Sequence, residues 1–305
     1  MDISIIIPTY NRNSILYKNL ATARDELKGL DYEIIVVNDS KNNQVAIPSE
    51  WQGNIICVNN PKQGVASARN LGASLARSGN LVFVDDDMML NRKAVEGTME
   101  YLKKNKNVCL NINWIYPDEL KHRLESYSFG RYLEHFGFTS LRGWMGKDYD
   151  WKEDQVTKAT GITSQFLAMS REVFDRTGGY NENFPFAGFE DHDFWKKLEK
   201  TGTTPYLDTG LMIWHNEEDR LQMKQWLDRK YRGGQTRFVA VEMGHSELTL
   251  EYNNLKGGIY FILSKIEFAI VVIANVIPNH KIFDPIYFRI VNLLLGLNLY
   301  KGYTK

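Results

Sequence analysis

The chain has few cysteines and no excess of charge of either sign. Of its 305 residues two are cysteines, and 37 Lys and Arg side chains are balanced by 37 Asp and Glu. Cys57 and Cys109 each lie in an apolar run typical of a buried strand, so we expect buried thiols in a reducing compartment rather than a disulfide. The balanced charge provides no extended basic surface, which excludes nucleic acid as a partner. Any charged ligand has to be bound by a local cluster of side chains.

Long uninterrupted apolar runs are also missing. The N-terminal run, residues 3–7, stops at Pro8 and follows no basic segment, so we expect no signal peptide and a cytoplasmic protein. The C-terminal runs 259–277 and 282–300 each contain one acidic and one basic residue, so neither offers the roughly 20 clean residues of a spanning helix. We therefore expect residues 253–305 to form amphipathic helices at a membrane surface. The alternative is a helical hairpin packed on the protein's own core or on a second subunit of a homo-oligomer.

The apolar residues that are present follow a regular alternation. Short runs of strand length are separated by segments with apolar residues at helical spacing, and Gly29 and Gly79 are placed to end two of these helices. This repetition predicts an α/β fold with a mixed, mostly parallel sheet flanked by helices. In such sheets ligands bind outside the carboxyl ends of the strands. The strand-like runs are residues 3–7, 33–37, 54–58 and 81–84. We therefore expect the segments 8–11, 38–40 and 85–87 together at one edge of the sheet.

The remaining pattern predicts the domain organisation. A strand at residues 164–169, a helix at 190–200 and a strand ending near His215 would complete the core. We expect one large domain with a C-terminal helical appendage. The predicted boundaries are residues 1–252 for the domain, with a nucleotide-binding half at 1–112 and an acceptor-binding half at 113–252, and 253–305 for the appendage.

Three consecutive carboxylates, Asp85, Asp86 and Asp87, follow the apolar run at residues 81–84. Clustered like charges repel one another, so such a group is costly unless a cation is bound there. Oxygen ligands suit Mg²⁺ or Mn²⁺, which commonly bind one or two carboxylates together with substrate phosphates. The sequence thus predicts a divalent metal site at this strand end. A solvated loop with helix-capping aspartates is the alternative.

Two more polar groups are expected at the same sheet edge. Asp39 follows the second strand and can accept a hydrogen bond from a ribose hydroxyl or a base N–H, although a simple Asn-Asp-Ser turn remains open. Arg69 lies early in a predicted helix, where it can pair with a diphosphate or with the aspartates. An ordinary surface arginine is the alternative. The co-occurrence of these residues is what favours a nucleotide site.

Five segments together resemble glycosyltransferase family 2, whose members have the GT-A fold and invert the anomeric centre. The resemblance spans roughly residues 2–216, and its motifs form an ordered set. It implies an enzyme that transfers a sugar from a nucleotide donor. The segments are residues 4–12, 34–40, 64–70, 83–87 and 171–182.

The resemblance also implies roles for individual donor-side residues. Asp85 would contact the ribose or the metal, and Asp87 would ligate the Mn²⁺ or Mg²⁺ that bridges the diphosphate. The residues that would hold the nucleoside are Pro8, Thr9, Tyr10 and Asp39. Further donor-side contacts would come from Arg12, Arg69 and Asp86.

On the acceptor side, residues 186–195 are similar to the family's acidic motif at the start of a helix. Asp191 matches the position of the general base, and Glu190 would orient the acceptor or the base. The alternative is that both are favourable charges at a helix N-terminus. His215 resembles the histidine that completes the metal site in several members, and a partly buried structural histidine is its alternative.

Taken together, these patterns predict a metal-dependent, inverting glycosyltransferase. It would move one hexose or N-acetylhexosamine from a nucleotide sugar, with UDP as the expected nucleotide, to a saccharide, lipid-linked or protein-linked acceptor. Cell-surface polysaccharide or glycan synthesis is the expected setting, at the inner face of the membrane. A sugar-nucleotide nucleotidyltransferase would need a Gly-rich loop that residues 8–13 lack. A non-catalytic carbohydrate-binding protein would not need both acidic clusters.

Overall fold

A computed structural model describes residues 1–304. The chain folds into two compact units made of interleaved segments. The first unit consists of Met1–Tyr116, Asp148–Pro185 and Glu190–Asn216; the second consists of Pro117–Lys147, Phe186–Phe189 and the residues from Glu217 onward. The domain boundary expected at residue 252 stays a prediction.

Within residues 1–304, nine strands pair into one sheet that belongs to the first unit. The strands are β1 Ile3–Thr9, β2 Tyr32–Asn38, β3 Ile55–Asn59, β4 Asn80–Val84, β5 Met88–Met89, β6 Val108–Ile115, β7 Val156–Lys158, β8 Phe166–Ser170 and β9 Thr204–His215. Their order is β3-β2-β1-β4-β8-β6-β9-β5, with β7 also paired to β9. The helices are α1 Asn13–Glu26, α2 Val65–Leu75, α3 Arg92–Lys104, α4 Asp118–Glu125, α5 Ser128–His135, α6 Leu141–Met145, α7 Arg171–Thr177, α8 Glu190–Lys200, α9 Met223–Glu242, α10 Asn254–Lys265, α11 Glu267–Val276 and α12 Asp284–Tyr303.

The predicted α/β fold with a helix-flanked mixed sheet and C-terminal helices is confirmed. The strands β1 to β4 pair in parallel, β6 pairs in parallel with β9, and β8 runs antiparallel between β4 and β6. Every residue of β1 and β2 is buried, as expected for strands covered on both faces. Helix α2 packs so closely that a Cβ at Gly72 would lie 2.3 Å from Ile6 Cγ2.

The parallel register brings three strand ends to one edge of this sheet. Thr9 at the end of β1 lies opposite Asn38 at the end of β2, and Ile6 lies opposite Phe83 of β4. The residues that follow these strands therefore leave the sheet at the same edge. This edge carries the segments 8–11, 38–40 and 85–87.

The helices α4, α5, α6 and α9 to α12 belong to the second unit. Helices α9 and α12 meet through glycines: a Cβ at Gly302 would lie 2.0 Å from the carbonyl oxygen of Tyr231. The guanidinium of Arg131 on α5 donates two hydrogen bonds of 2.7 Å to Asp284 at the start of α12. The last helix is therefore packed into this unit along its length.

The two cysteines are free, as predicted. Cys109 is buried as predicted, but the prediction of a buried thiol was wrong for Cys57, which is half-buried because β3 is an edge strand of the sheet. Burial raises the pKa of the Cys57 thiol to about 11 and that of Cys109 to about 12, so both are protonated at neutral pH. Neither is a reactive thiolate.

The C-terminal helices require one correction to the sequence analysis. Residues 281–303 form a helical segment that is, by length and composition, long and apolar enough to cross a membrane. Asp284, the acidic residue of this run, lies in the first turn of α12, so the rest of the helix contains no acidic residue. Helices α10 and α11 are long and apolar enough to cross a membrane only if they are counted as one segment, and the two helices meet at a bend of 69°. The expectation that neither run is long and apolar enough to span was therefore wrong for α12.

Candidate active site

Asp86, the middle one of the three aspartates, is buried, and its carboxylate accepts hydrogen bonds from other side chains of the protein. One carboxylate oxygen accepts a hydrogen bond from the Thr9 hydroxyl at 2.7 Å, and the other accepts from the Arg12 guanidinium at 2.6 Å. Its backbone carbonyl accepts from the amide of Asn19 on α1 at 2.7 Å. Asp86 therefore joins the segment after β4 to the end of β1 and to α1. A donor-side contact for Arg12 and Asp86 stays a prediction.

The next aspartate, Asp87, lies between Arg12 and His215. Arg12 donates to one carboxylate oxygen at 2.6 Å, and Nε2 of His215 lies 3.4 Å from the other. Two backbone pairings bring the imidazole here: Met88 of β5 pairs with His215 of β9, and the backbone N–H of Asn216 donates to the Asp87 carbonyl at 2.7 Å. The sequence separated these two predicted metal ligands by 128 positions, and the fold brings them together.

This pair fits a divalent ion. Atoms that bind one Mg²⁺ at about 2.1 Å from adjacent positions lie roughly 3 Å apart, which is close to the observed carboxylate–imidazole separation. Carboxylate oxygen and imidazole nitrogen together suit Mn²⁺. The imidazole is held by ring contacts with Trp114 and Tyr116, whose centroids lie 4.8 and 5.4 Å away at nearly perpendicular angles. These contacts hold the imidazole in a fixed orientation beside Asp87.

Arg69 on α2 is buried among carboxylates from two other parts of the first unit. It donates to Asp85 at 3.0 Å and to Glu190 at 2.9 Å, and it lies 3.6 Å from Asp191. Burial acts to lower the pKa of Arg69, but Asp85, Asp191 and Glu190 together raise it above its usual value. The guanidinium also lies over the ring of Tyr180, at 5.2 Å from the centroid. One permanent cation thus links the strand-end aspartate to the acidic helix α8.

Asp191 is held by Ser164 through both carboxylate oxygens. The Ser164 hydroxyl donates to one oxygen, and its backbone N–H donates to the other at 3.1 Å. Burial raises the pKa of Asp191 to about 6, and the neighbouring Glu190 contributes to the rise, while Arg69 and Ser164 act to lower it. A carboxylate that titrates near neutral pH is suited to accept a proton.

Asp85 lies between the two groups just described. Burial raises the pKa of its carboxyl, Arg69 opposes this shift, and the charges of Asp87 and Asp191 add to it. Its side chain keeps about a third of its surface exposed. The charges of Asp87 and Asp191 are therefore close enough to raise the pKa of Asp85, and the Asp85 carboxylate remains accessible to a ligand.

Asp39 organises a loop at the same edge. Its carboxylate accepts two hydrogen bonds of 3.0 Å from the N–H of Gly64 and one of 2.7 Å from the amide of Asn60. Gly64 has φ of 126°, a conformation that side chains disfavour. Tyr10, just beyond β1, is 52% exposed. Of the four predicted nucleoside residues, Asp39 thus fixes a loop and Tyr10 offers an exposed ring, whereas Pro8 and Thr9 are buried within β1.

The sequence model of Glycosyl transferase family 2 matches residues 4–178, more than half of the chain. The chain belongs to this family. The curated relatives include proteins named as glycosyltransferases. Membership confirms the resemblance and disfavours both the nucleotidyltransferase and the non-catalytic binding protein.

Two curated relatives of this family 2 chain show how far the similarity extends. Chondroitin synthase of Escherichia coli is 29% identical over 237 residues, which cover 70% of this chain and 34% of the synthase. The E. coli enzyme named UDP-Glc:alpha-D-GlcNAc-diphosphoundecaprenol beta-1,3-glucosyltransferase WfaP is 24% identical over 203 residues, 66% of this chain and 71% of WfaP. The match thus spans about a third of the length of the first relative.

A solved structure confirms the GT-A fold of the chain. The mannosyltransferase PcManGT from Pyrobaculum calidifontis, in complex with GDP-Man and Mn²⁺, aligns with a TM-score of 0.59 at 15% identity. The alignment covers all of this chain and 88% of PcManGT. At this identity the likeness shows the fold alone.

Sequence reasoning missed two residues of this family 2 site. Ser164 holds Asp191, and its hydroxyl lies 2.6 Å from that of the buried Tyr180. Ser164 stands at the start of an apolar run, where a small hydroxyl gives no signal of its own. Tyr180 lies within the motif that carries the resemblance, but its contact with Arg69 depends on tertiary packing.

Proposed function

We propose that this enzyme is a metal-dependent inverting glycosyltransferase that moves a single hexose or N-acetylhexosamine from a nucleotide sugar to a glycan acceptor. The observation that carries the proposal is the position of Arg69, which contacts Asp85 on one side and Glu190 and Asp191 on the other. The donor-side carboxylate and the acceptor-side base are thereby held around one guanidinium. An inverting displacement needs a leaving group and a base on opposite faces of the sugar, and the cluster supplies one carboxylate for each of these two roles.

The donor would bind at the edge formed by Pro8, Thr9, Tyr10, Asp39 and Asp85. WfaP carries UDP-Glc in its name, which supports UDP as the nucleotide. PcManGT was solved with GDP-Man, so GDP is the second candidate. The acceptor in the WfaP name is a diphosphoundecaprenol-linked sugar, which supports a lipid-linked saccharide here.

Asp87, His215 and Asp85 would hold a Mn²⁺ or Mg²⁺ ion. The bound ion supplies positive charge that stabilises the diphosphate as it leaves. Arg12 has a different task, because it fixes the Asp87 carboxylate from the side opposite His215. The protein thus orients the ligands in advance, through contacts with buried partners.

Asp191 would remove the proton from the acceptor hydroxyl. Ser164 fixes the plane of its carboxylate, and burial together with the charge of Glu190 raises the pKa of Asp191 to about 6. Arg69 stays charged and offsets the charge of both acids. The role of Glu190 is thus to position Arg69 and Asp191.

The cellular setting we propose is the cytoplasmic face of a membrane, with the protein attached peripherally. A lipid-linked acceptor requires an enzyme that works at the membrane surface. The C-terminal residues 253–305 would provide the contact.

Removing a metal ligand tests the donor site. We expect Asp87→Ala to lower the Mn²⁺-dependent affinity for a UDP-sugar by at least about 10-fold, the loss seen even for outer partners of metal ligands. Titration calorimetry with and without EDTA measures it. Asp25→Ala, an exposed carboxylate on α1, is the control and should bind as the parent does. Full donor affinity of the parent in EDTA would contradict the metal role.

The raised pKa of Asp191 predicts an acid limb in the rate profile. Asp191 acts as a base only when it is ionised, so kcat/KM should fall as the pH drops through about 6. Ser164→Ala removes a hydrogen bond that stabilises the ionised form, so it should move this limb to higher pH. The Ser164→Ala variant keeps the charged neighbours of Asp191, which are Asp85, Glu190 and Arg69. Ser74→Ala, an exposed hydroxyl on α2, should leave the limb where it is; an unmoved limb in Ser164→Ala would exclude this role.

A further inference from the structure

We infer that the outer face of α10 and α11 binds the surface of an anionic phospholipid bilayer without crossing it. We name this face the apolar hairpin face; its residues are Leu255, Ile259, Phe261, Ile262, Ile266, Phe268, Val272, Ile273 and Val276. The inference rests on the proposed membrane location and specifies the surface and the lipid class.

The large apolar side chains of the apolar hairpin face are mostly exposed to solvent, which is unfavourable in water. Phe268 is 81% exposed, Leu255 74%, Val276 70% and Ile262 64%. Soluble proteins rarely expose contiguous apolar patches of this kind unless the patch binds a partner or a membrane. In the described part of α10, no side chain is buried.

The one acidic residue of α10 and α11 points away from this face. Glu267 at the start of α11 accepts a hydrogen bond of 2.9 Å from Asn298 of α12 and pairs with Lys301. Ile270 and Ala274, on the same helix, are buried. Helix α11 therefore turns Glu267 towards α12 and leaves Phe268, Val272, Ile273 and Val276 exposed, which is the reverse of the usual order for a helix facing water.

The charge of the segment is complementary to an anionic surface. Residues 253–305 contain two acidic and six basic residues. Both acids, Glu267 and Asp284, are paired with cations inside the second unit. Lys256, Lys265 and Lys281 are exposed, at the start of α10, at its end and in the turn before α12. The apolar hairpin face thus has lysines beside it, with no exposed acid in the segment.

Helix lengths favour binding at the surface over crossing. Helix α10 has 12 residues and α11 has 10, whereas a spanning helix needs about 20. The 69° bend between them prevents one continuous span. Helix α12, which is long enough, is tied to α5 and α9 instead.

A second copy of the chain is a weaker occupant for this face. In a two-fold symmetric contact the same residues meet on both sides. The three lysines of one copy would then approach those of the other, with no exposed acid in the segment to pair with them. An anionic lipid surface attracts these lysines instead, and each lysine should raise the affinity for the surface roughly fivefold.

Vesicle flotation tests the inference. The full chain should bind vesicles that contain phosphatidylglycerol and should bind pure phosphatidylcholine vesicles much more weakly. Phe268→Asp combined with Val276→Asp should abolish binding to both. The triple variant Lys256→Gln, Lys265→Gln, Lys281→Gln should weaken binding to the anionic vesicles by about 100-fold. The matched control, Lys103→Gln, Lys104→Gln, Lys106→Gln, removes three lysines elsewhere and should bind as the parent does.

Two results would overturn the inference. One is equal vesicle binding by the parent, the double aspartate variant and the triple glutamine variant. The other is a stable dimer of the parent that binds no vesicle and that dissociates in the Phe268→Asp, Val276→Asp variant. Transfer to a short water-soluble acceptor is measured in parallel for every variant. Lost vesicle binding with retained transfer supports the surface assignment. Absent transfer in the parent would contradict the proposed function and leave the vesicle result standing.

Discussion

Asp191→Asn should lower the rate of sugar transfer by about 10²–10⁴-fold, the usual contribution of one general base. The substitution keeps the size of the side chain, and its carbonyl oxygen can still accept a hydrogen bond from Ser164. The amide cannot accept the acceptor's proton at neutral pH. Donor affinity should change little, because the predicted nucleoside residues lie on β1, β2 and the segments that follow them.

Initial rates and donor dissociation constants, measured on the same preparation, separate these effects. Glu199→Gln is the matched control, since Glu199 is an exposed carboxylate on the same helix α8 and pairs with Lys196 at the surface. Thermal unfolding confirms that Asp191→Asn remains folded. Undiminished turnover would remove Asp191 as the base, and equal losses of turnover and donor affinity would indicate a structural role.

Continuous apolar runs explain why much of the sheet was predictable. The strands β1 and β2 were expected at residues 3–7 and 33–37 and are found at Ile3–Thr9 and Tyr32–Asn38. Helix α8 was expected at residues 190–200 and is found there. These elements are buried on one or both faces, so their hydrophobic pattern is strong. Strand direction leaves no such trace, and the antiparallel position of β8 between β4 and β6 was not predicted.

The site was predictable as an edge of the sheet but not as a network. Parallel strands end at the same edge, so the segments 8–11, 38–40 and 85–87 were expected together. The partner of each side chain depends on packing across long sequence separations. Arg69 contacts Glu190 across 121 positions, and Arg12 contacts Asp86 across 74. No spacing rule reports such pairs.

The C-terminal region shows the same limit. Apolar periodicity predicted helices in residues 253–305, and α10, α11 and α12 are there. Which helix is packed depends on small residues. Gly234 and Gly302 allow α9 and α12 to approach until their backbones touch, since a Cβ at Gly234 would lie 2.5 Å from the carbonyl oxygen of Leu299. A glycine in a helix otherwise only weakens the helical pattern, so its packing role is invisible in the sequence.

Arg12→Met should destabilise the fold by about 3–5 kcal/mol, the cost of removing one partner from a buried ion pair. The Arg12 guanidinium contacts Asp86 and Asp87 at 2.6 Å each, and all three side chains are buried. Methionine fills part of the volume but leaves two neighbouring carboxylates without this cation. Their repulsion should also displace Asp87 from His215.

Chemical denaturation measures the change in the free energy of unfolding. Arg24→Met, on the same helix α1, removes a partly exposed arginine whose ion pair with Asp25 is 3.6 Å long, and it should cost about 1 kcal/mol or less. If Mn²⁺ binds at Asp87, added Mn²⁺ should recover part of the lost stability in Arg12→Met, because the ion replaces the missing positive charge. A small loss of stability with a large loss of donor affinity would instead make Arg12 a donor contact, as the family resemblance implied.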